Sequence, residues 1–175
     1  KDLRVLEDYG RFVLARVSGA EMAALPAANI MDRMTDSTVI SLASVQWDTV
    51  GGEPPILSSL RAAGEDPYFL VQFYGPIKQE WLAGLEALGV SVLSYQPNYA
   101  YIVRMDPSLA SSVGAAHAVR WIGRYHPAYR LAASNDWSRA QQDGDRFAAV
   151  VSTFTDVDVD AFLAQVGETG VSIED

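Results

Sequence analysis

The sequence contains no cysteine, only two histidines and few basic side chains relative to acidic ones. Without cysteine the chain forms no disulfide, no thiolate metal site and no cysteine nucleophile. Its 13 lysines and arginines stand against 22 aspartates and glutamates, a formal net charge of -9. This balance argues against nucleic acid and against an anionic membrane surface as partners, because phosphate groups attract basic surfaces.

Long apolar runs and the common catalytic motifs are also missing. No apolar segment approaches the roughly 20 residues of a membrane-spanning helix. No glycine-rich phosphate loop follows a predicted strand, and no G-x-S-x-G motif occurs. His117 and His126 lack patterned carboxylates around them, so we predict neither a metal site nor a cofactor. We interpret His117 as a favourable charge at a helix C-terminus and His126 as structural.

The chain does have a central stretch in which strand and helix patterns follow each other. Hydrophobic residues make up 49% of the sequence, enough for a packed core. The pattern predicts strands at 68–74, 90–95, 99–105 and 118–125, and helices at 77–88 and 108–117. This βαββαβ order predicts an α+β fold, a ferredoxin-like two-layer sandwich with both helices on one face of the sheet.

Local signals indicate where these helices begin and end. Gly89 suits the left-handed residue that follows a helix, so it predicts the end of the first helix. Asp106 can cap the second helix, and Pro107 fits its first turn, where a missing N–H is no loss. In the last part of the chain, Asp156, Asp158 and Asp160 suit the start of another helix better than a calcium loop.

Segments rich in glycine, proline and small polar residues divide the chain. We predict a partial βαββ module at 1–50, a linker at 51–67, the complete module at 68–131, a linker at 132–145 and the first half (βαβ) of a further module at 146–175. Strand, helix and a G-V-S sequence recur at Gly89 and Gly170, which indicates a weak internal repeat about eighty residues long. Since the last copy stops after its second strand, we expect the polypeptide to continue past Asp175 or another chain to complete it.

Within the outer modules the predictions are more local. In the first, strands are predicted at 11–18 and 38–44, separated by a short helix that Pro26 ends and a brief strand at 30–34. In the last, a strand at 146–154 precedes the helix, and a second strand begins at 171–175.

Helices on one face of the central sheet leave its other face open. The aromatic residues of this stretch have two interpretations: an ordinary sheet core with cross-strand pairs, or an amphipathic face that docks a protein. Alternation along the strands assigns six residues to the open face, and we predict them as partner-binding: Leu70, Gln72, Tyr74, Tyr99, Tyr101 and Trp121. We predict no catalytic residue.

The run YFLVQFYGPIKQEWLAGLEALGVSVLSYQPNYAYIVRM, followed by VRWIGRYHPAYRL, resembles the N-terminal pro-region of bacterial subtilisin-like serine peptidases, among them large secreted enzymes with tandem pro-modules. The resemblance is good over 68–131, fair over 146–175 and weak over 1–48. It implies an intramolecular chaperone and temporary inhibitor whose open sheet face packs on the catalytic domain. The implied partner is that domain, in the same precursor or as a cleaved chain, and the implied location is extracellular after signal-peptide removal.

The sequence also departs from that family. The motifs around its catalytic Asp, His and Ser are absent, and Trp47-Asp48-Thr49-Val50 is not the aspartate motif. We therefore predict that the chain is not itself an enzyme. The alternative is a stand-alone protein-binding module, either a protease inhibitor or an interaction array. A small-ligand sensor or enzyme ranks last, because convergent polar residues are not apparent in the sequence.

Overall fold

A computed structural model of the protein describes residues 4–27, 30, 34–131 and 151–169. The strands are β1 (Arg4–Asp8), β2 (Val13–Arg16), β3 (Val39–Ser41), β4 (Gln46–Asp48), β5 (Tyr68–Phe73), β6 (Ser91–Gln96), β7 (Ala100–Arg104) and β8 (Val119–Arg124). The α-helices are α1 (Gly19–Ala24), α2 (Gln79–Ala87), α3 (Ala110–Gly114) and α4 (Val159–Glu168). Small antiparallel sheets and a few helices confirm the predicted α+β class.

The chain divides into two compact units, residues 1–134 and residues 135–175. The first unit contains β1 to β8 and α1 to α3, and the predicted linker at 51–67 lies inside it as extended chain with a 3₁₀ turn at Ser58–Leu60. The predicted linker at 132–145 and the strand at 171–175 lie outside the described residues. The strand predicted at 146–154 is absent over 151–154, the part of it that the structure describes.

Four strands form the main sheet in the order β6-β7-β5-β8, with every neighbouring pair antiparallel. Helix α2 connects β5 to β6, and α3 connects β7 to β8, so each helix crosses over one intervening strand. The predicted βαββαβ order is present over 68–124. The second helix is shorter than predicted, since it begins as a 3₁₀ turn at Pro107–Leu109 and α3 stops at Gly114.

The roles predicted for Gly89 at the end of the first helix and for Asp106 and Pro107 at the start of the second are confirmed. Gly89 follows α2 with a φ of 88°, the left-handed conformation that favours glycine. The Asp106 side chain accepts a hydrogen bond from the Ser108 N–H at 2.8 Å, and Pro107 occupies the first turn. In the second unit, the Asp158 side chain caps α4 by accepting from the Ala161 N–H at 3.1 Å.

Both crossover helices pack on the same face of the main sheet, called the helix face here. Alternate β5 residues supply its centre, and the rings of Phe73 and Trp81 stack with centroids 5.7 Å apart. Each large apolar side chain buried in this way contributes about 1.5–3 kcal/mol. The buried members of this core are Phe69, Val71, Phe73, Trp81, Leu85, Val90, Val103, Met105, Val113 and Val119.

The described residues before residue 50 form two β-hairpins and the short helix α1. Strands β1 and β2 pair antiparallel, although only a strand at 11–18 was expected there. The single strand predicted at 38–44 is wrong: β3 and β4 form a hairpin, in which the Leu42 N–H donates to the Val45 carbonyl at 2.9 Å. Short strands joined by a tight turn leave too few alternating residues to separate a hairpin from one strand by pattern. Helix α1 ends before Pro26, as predicted.

Candidate functional site

The face of the main sheet opposite the helices is not open. The segment Thr38–Thr49, which contains β3, β4 and their turn and is called the cover hairpin here, contacts it through the residues described below. Leu70 and Gln72, two residues predicted on an open face, are both 0% exposed. Alternation did place these two side chains opposite the helices, but the prediction of a solvent-exposed face is wrong because the chain covers that face itself.

A buried polar network joins Gln72 to the cover hairpin. The Gln72 side-chain amide donates to the Val39 and Asn98 carbonyls, each at 3.2 Å, and its oxygen accepts from the Thr49 hydroxyl at 3.3 Å. The Asn98 amide also donates to the Val39 carbonyl, at 3.1 Å. Because buried polar groups are costly unless hydrogen-bonded, this network fixes one position of the hairpin on the sheet.

Aromatic packing completes the contact. The Trp47 ring meets Trp121 edge-on with centroids 6.1 Å apart and stacks on Tyr129 at 5.0 Å. The Ser44 hydroxyl donates to the Tyr129 carbonyl at 3.1 Å. Trp121, predicted as a partner-binding residue, therefore does lie on the face opposite the helices, but its contact is Trp47 of the same chain.

Two further predicted site residues, Tyr99 and Tyr101, lie on the helix side. Tyr101 pairs with Val71 and with Tyr95, and directly opposed residues of antiparallel strands share a face. Tyr99 belongs to the β6–β7 turn, with a φ of 63°, and also packs against the core beneath the helices. The predicted assignment of both tyrosines to the opposite face is therefore wrong.

Tyr74, the last of the predicted residues, follows β5, is half-buried and lies close to two arginines. The Arg16 guanidinium lies 5.7 Å from the centroid of its ring and that of Arg120 lies 6.0 Å from it. Neither arginine carries a sequence motif, and nothing in the sequence pattern brings β2 beside β8. Tyr74 is thus a predicted site residue that the structure places close to two arginines.

His126 has the structural role expected of it. It is 5% exposed, and its Nδ1 accepts a hydrogen bond from the Ala62 N–H at 2.9 Å. Its Nε2 lies 3.5 Å from a carboxylate oxygen of Glu53, too far for a good hydrogen bond. Beside it, burial raises the pKa of Tyr129 to about 12. These groups attach the 51–67 segment to the end of β8.

The β1–β2 hairpin contacts the helix side of the sheet. The Lys78 ammonium donates to the Glu7 carboxylate and to the Asp8 carbonyl, and the second Glu7 oxygen lies 2.8 Å from His117 Nε2. Hydrogen bonding from Lys78, then from His117, holds the pKa of Glu7 below its usual value. His117 therefore pairs with Glu7 three residues beyond α3 and does not serve as that helix's terminal charge, which corrects the prediction.

The contacts around the predicted site residues are packing contacts, hydrogen bonds and a few ionic interactions. Among the described residues, no three histidine, cysteine, aspartate or glutamate side chains lie close enough together for a metal ion. None of the helices in those ranges combines the length and apolar character that crossing a bilayer requires. The features with chemical specificity are the Gln72 network, the Glu7–Lys78–His117 ion cluster and the arginine pair at Tyr74.

Fold and site together define a small α+β protein whose main sheet carries helices on one face and its own hairpin on the other. A family model matches residues 21–126, more than half of the chain, and the chain belongs to that family, described as Domain of unknown function (DUF8729). The match includes both the cover hairpin and the main sheet. No curated protein and no solved structure matches the chain.

Proposed function

We propose that this chain is part of the pro-region of a secreted subtilisin-like serine endopeptidase. The chain, built around its central segment 68–131, acts as an intramolecular chaperone and a temporary inhibitor of the catalytic domain. In this proposal the segment is a ferredoxin-like module in tandem with partial copies before and after it. The chain itself is not the peptidase.

One structural observation carries the proposal, beside the sequence resemblance of 68–131. Both crossover helices lie on one face of a four-stranded antiparallel sheet of order β6-β7-β5-β8. The β6–β7 pair and the packing of α2 on β6 and of α3 on β8 join elements that are adjacent in the sequence, which favours early formation of these parts of the module. A protease core with parallel strands folds more slowly, and a preformed surface would stabilise its helices before its long-range contacts exist.

The mode of docking differs from the one expected from the sequence. Releasing the cover hairpin would return Leu70, Ile102 and Trp47 to water, and each is at most 8% exposed. At about 1.5–3 kcal/mol for each side chain, and with the Gln72 network broken as well, the cost approaches the whole stability of a small domain, about 5–15 kcal/mol. The hairpin therefore stays in place, and its outer side, where Gln46 is exposed, faces the catalytic domain.

Refolding tests the function directly. The catalytic domain would be refolded from denaturant with and without the full chain, and recovered peptidase activity would be measured before and after the chain is digested. We expect a higher yield with the chain and inhibition that digestion relieves. Equal yields together with no inhibition would refute the proposal.

A pair of exposed substitutions tests the docking surface. Gln46→Arg places a bulky charge on the outer side of the cover hairpin, whereas Ser91→Arg places the same charge on the edge strand β6. We expect Gln46→Arg to weaken inhibition and Ser91→Arg to leave it unchanged, with unfolding midpoints of both variants close to that of the parent. Unchanged inhibition by Gln46→Arg would remove the outer side of the hairpin from the interface.

A second function, a stand-alone protein-binding module, is favoured by the covered sheet. The chain satisfies this face with its own residues, so the first unit needs no catalytic domain to complete it. In that case the chain would neither raise the refolding yield of a subtilisin-like catalytic domain nor inhibit its peptidase activity. Inhibition of an unrelated peptidase would then support the binding-module function.

A further inference from the structure

Two arginines from distant parts of the chain meet at one tyrosine ring. Arg16 ends β2, Arg120 lies in β8, and their guanidinium carbons are 5.7 and 6.0 Å from the centroid of Tyr74. The Ser37 hydroxyl lies 3.5 Å from a terminal nitrogen of Arg120. Four segments of the first unit therefore contribute to one small patch.

The fold directs both arginines to this patch. In the β5–β8 ladder Gln72 pairs with Trp121 and Phe73 pairs with Val119, so Arg120 is the extra residue of a β-bulge. Bulges turn a side chain away from the regular alternation of its strand and are frequent near binding sites. Because of the bulge, Val119 and Trp121 lie on opposite faces of the sheet, and the Arg120 side chain between them reaches Tyr74.

Arg16 is positioned by a close approach of β2 to the main sheet. Gly75 is buried against this strand, and a Cβ at Gly75 would lie only 2.8 Å from a Leu14 methyl group. Glycine thus allows Leu14 to pack directly on the backbone after β5. Arg16, two residues further along β2, then lies on the same side and reaches the Tyr74 ring.

The arginine pair brings two positive charges close together. Within the described ranges, the ion pairs with carboxylates closer than 4.0 Å involve other cations, not Arg16 or Arg120. Asp48 favours the charged form of Arg120 at longer range, and its carboxylate accepts a hydrogen bond from the Val50 N–H. In a chain of net charge -9, two neighbouring arginines outside any described ion pair are unusual, because burial of Arg120 and repulsion from Arg16 both oppose the charge of Arg120.

We propose that Arg16 and Arg120 form a binding site for an oxyanion, the carboxylate or phosphate group of a ligand. Each guanidinium is a planar fork of N–H donors that matches two oxygens of such a group. The Tyr74 ring orients the two forks by cation–π contact, and the Ser37 hydroxyl adds a donor. The site is independent of the pro-region function, since it requires only a small anion.

Titration of the full chain with small anions tests the site. The arginine side-chain N–H signals would be followed by NMR during addition of sodium succinate or sodium phosphate, with sodium chloride keeping the ionic strength constant. We expect the signals of Arg16 and Arg120 to shift and saturate. The anion that saturates these shifts at the lower concentration shows whether the ligand group is a carboxylate or a phosphate. A linear shift with both anions would overturn the site.

Variants make the test specific. Arg120→Gln, and independently the more exposed Arg16→Gln, should each weaken anion binding about tenfold, the effect of losing a charge-assisted hydrogen bond. Arg61→Gln removes the same charge beside Tyr129 and should leave binding unchanged. A thermal melt of each variant checks that it folds. Equal affinity in the parent and both site variants would refute the proposal, whichever function the chain has.

Discussion

Gln72 is a polar side chain at the centre of a sheet face that its own chain covers. Its amide satisfies two backbone carbonyls and its oxygen accepts from a hydroxyl, so the side chain joins three segments. Polar groups in such a position restrict how the covering element can sit, because any shift leaves donors or acceptors unpaired. The residue therefore specifies the hairpin's position more than it adds to the net stability.

Gln72→Ala tests this role. The substitution leaves a cavity and removes the amide that donates to the Val39 and Asn98 carbonyls, so we expect the free energy of unfolding to fall by about 2–4 kcal/mol. Urea unfolding followed by circular dichroism measures it. Gln96→Ala, where the amide meets only the Ser94 hydroxyl, should cost less than about 1 kcal/mol. Similar losses in the two variants would contradict the network's role.

Glu7 gives the stability a pH dependence with a defined sign. Hydrogen bonds from Lys78 and then His117 hold its pKa in the folded protein below the usual 4.5. A carboxyl group with a lowered pKa stabilises the fold above its unfolded-state pKa, and this contribution disappears as the pH falls through the folded value. Lys78 stays charged throughout, because the Glu7 hydrogen bond raises its pKa.

Glu7→Gln should therefore lower the melting temperature at pH 7, and the difference from the parent should shrink below pH 4.5. Melting temperatures of both proteins between pH 7 and pH 3 provide the measurement. Glu86→Gln, at an exposed position on α2, serves as the matched control. A difference between parent and Glu7→Gln that stays constant down to pH 3 would show that the carboxylate does not act through its charge.

At the scale of elements, α2 and the turn after it contain two glycines in opposite situations. Gly84 lies within the helix, and a Cβ there would meet nothing within 4 Å, whereas Gly89 follows the helix with a φ of 88°. Gly84→Ala should raise the free energy of unfolding by about 0.5–1 kcal/mol. Gly89→Ala should lower it by about 1–2 kcal/mol, because the left-handed conformation strains a residue with a Cβ.

Chemical unfolding of the two variants under identical conditions compares these effects. The experiment has an internal control, since the same substitution is made five residues apart. Stabilisation by both alanines would mean that Gly89 can leave its left-handed conformation without cost. Destabilisation by both would mean that Gly84 makes a contact that its open surroundings do not indicate.

The elements of the main sheet could be predicted because their signals are local. Alternation located β5, helical spacing located α2, and Gly89 and Asp106 marked helix ends through their own backbone chemistry. The faces of β7 could not be assigned in the same way. The turn before β7 contains Asn98 and Tyr99, both with a φ of 63°, and a tyrosine in that conformation has no sequence signature. Register with β5, a long-range property, then decided the face of Tyr101.

At the scale of the whole molecule, the covering of the sheet is what the sequence could not reveal. The cover hairpin and β5 are separated by the proline- and glycine-containing segment 51–67, which resembles a boundary by composition. In the structure, His126 accepts a hydrogen bond from Ala62, and Arg124 donates to the carbonyls of Gly64 and Asp66. Such contacts make the segment part of the unit, and no local pattern encodes them.

This organisation predicts how the protein responds to truncation. A fragment of residues 68–131 keeps every strand and helix of the main sheet but exposes Leu70, Ile102 and Trp121 to water. At about 1.5–3 kcal/mol for each large apolar side chain, the loss is comparable with the stability of a small domain. We expect this fragment to be unfolded or aggregated, whereas a fragment of residues 1–134 melts cooperatively.

An intermediate fragment, residues 34–131, separates the contribution of the cover hairpin from that of the β1–β2 hairpin. It retains the Gln72 network and the Trp47 stacking but lacks the Glu7–Lys78 ion pair and the packing of Tyr9. Thermal melts followed by near-ultraviolet circular dichroism should show fixed tertiary structure in 34–131, at a lower midpoint than in 1–134. A native-like melt of 68–131 alone would mean that the sheet is stable with this face exposed to water. The cover hairpin could then leave the sheet when a partner binds, and the argument that it stays in place would fail.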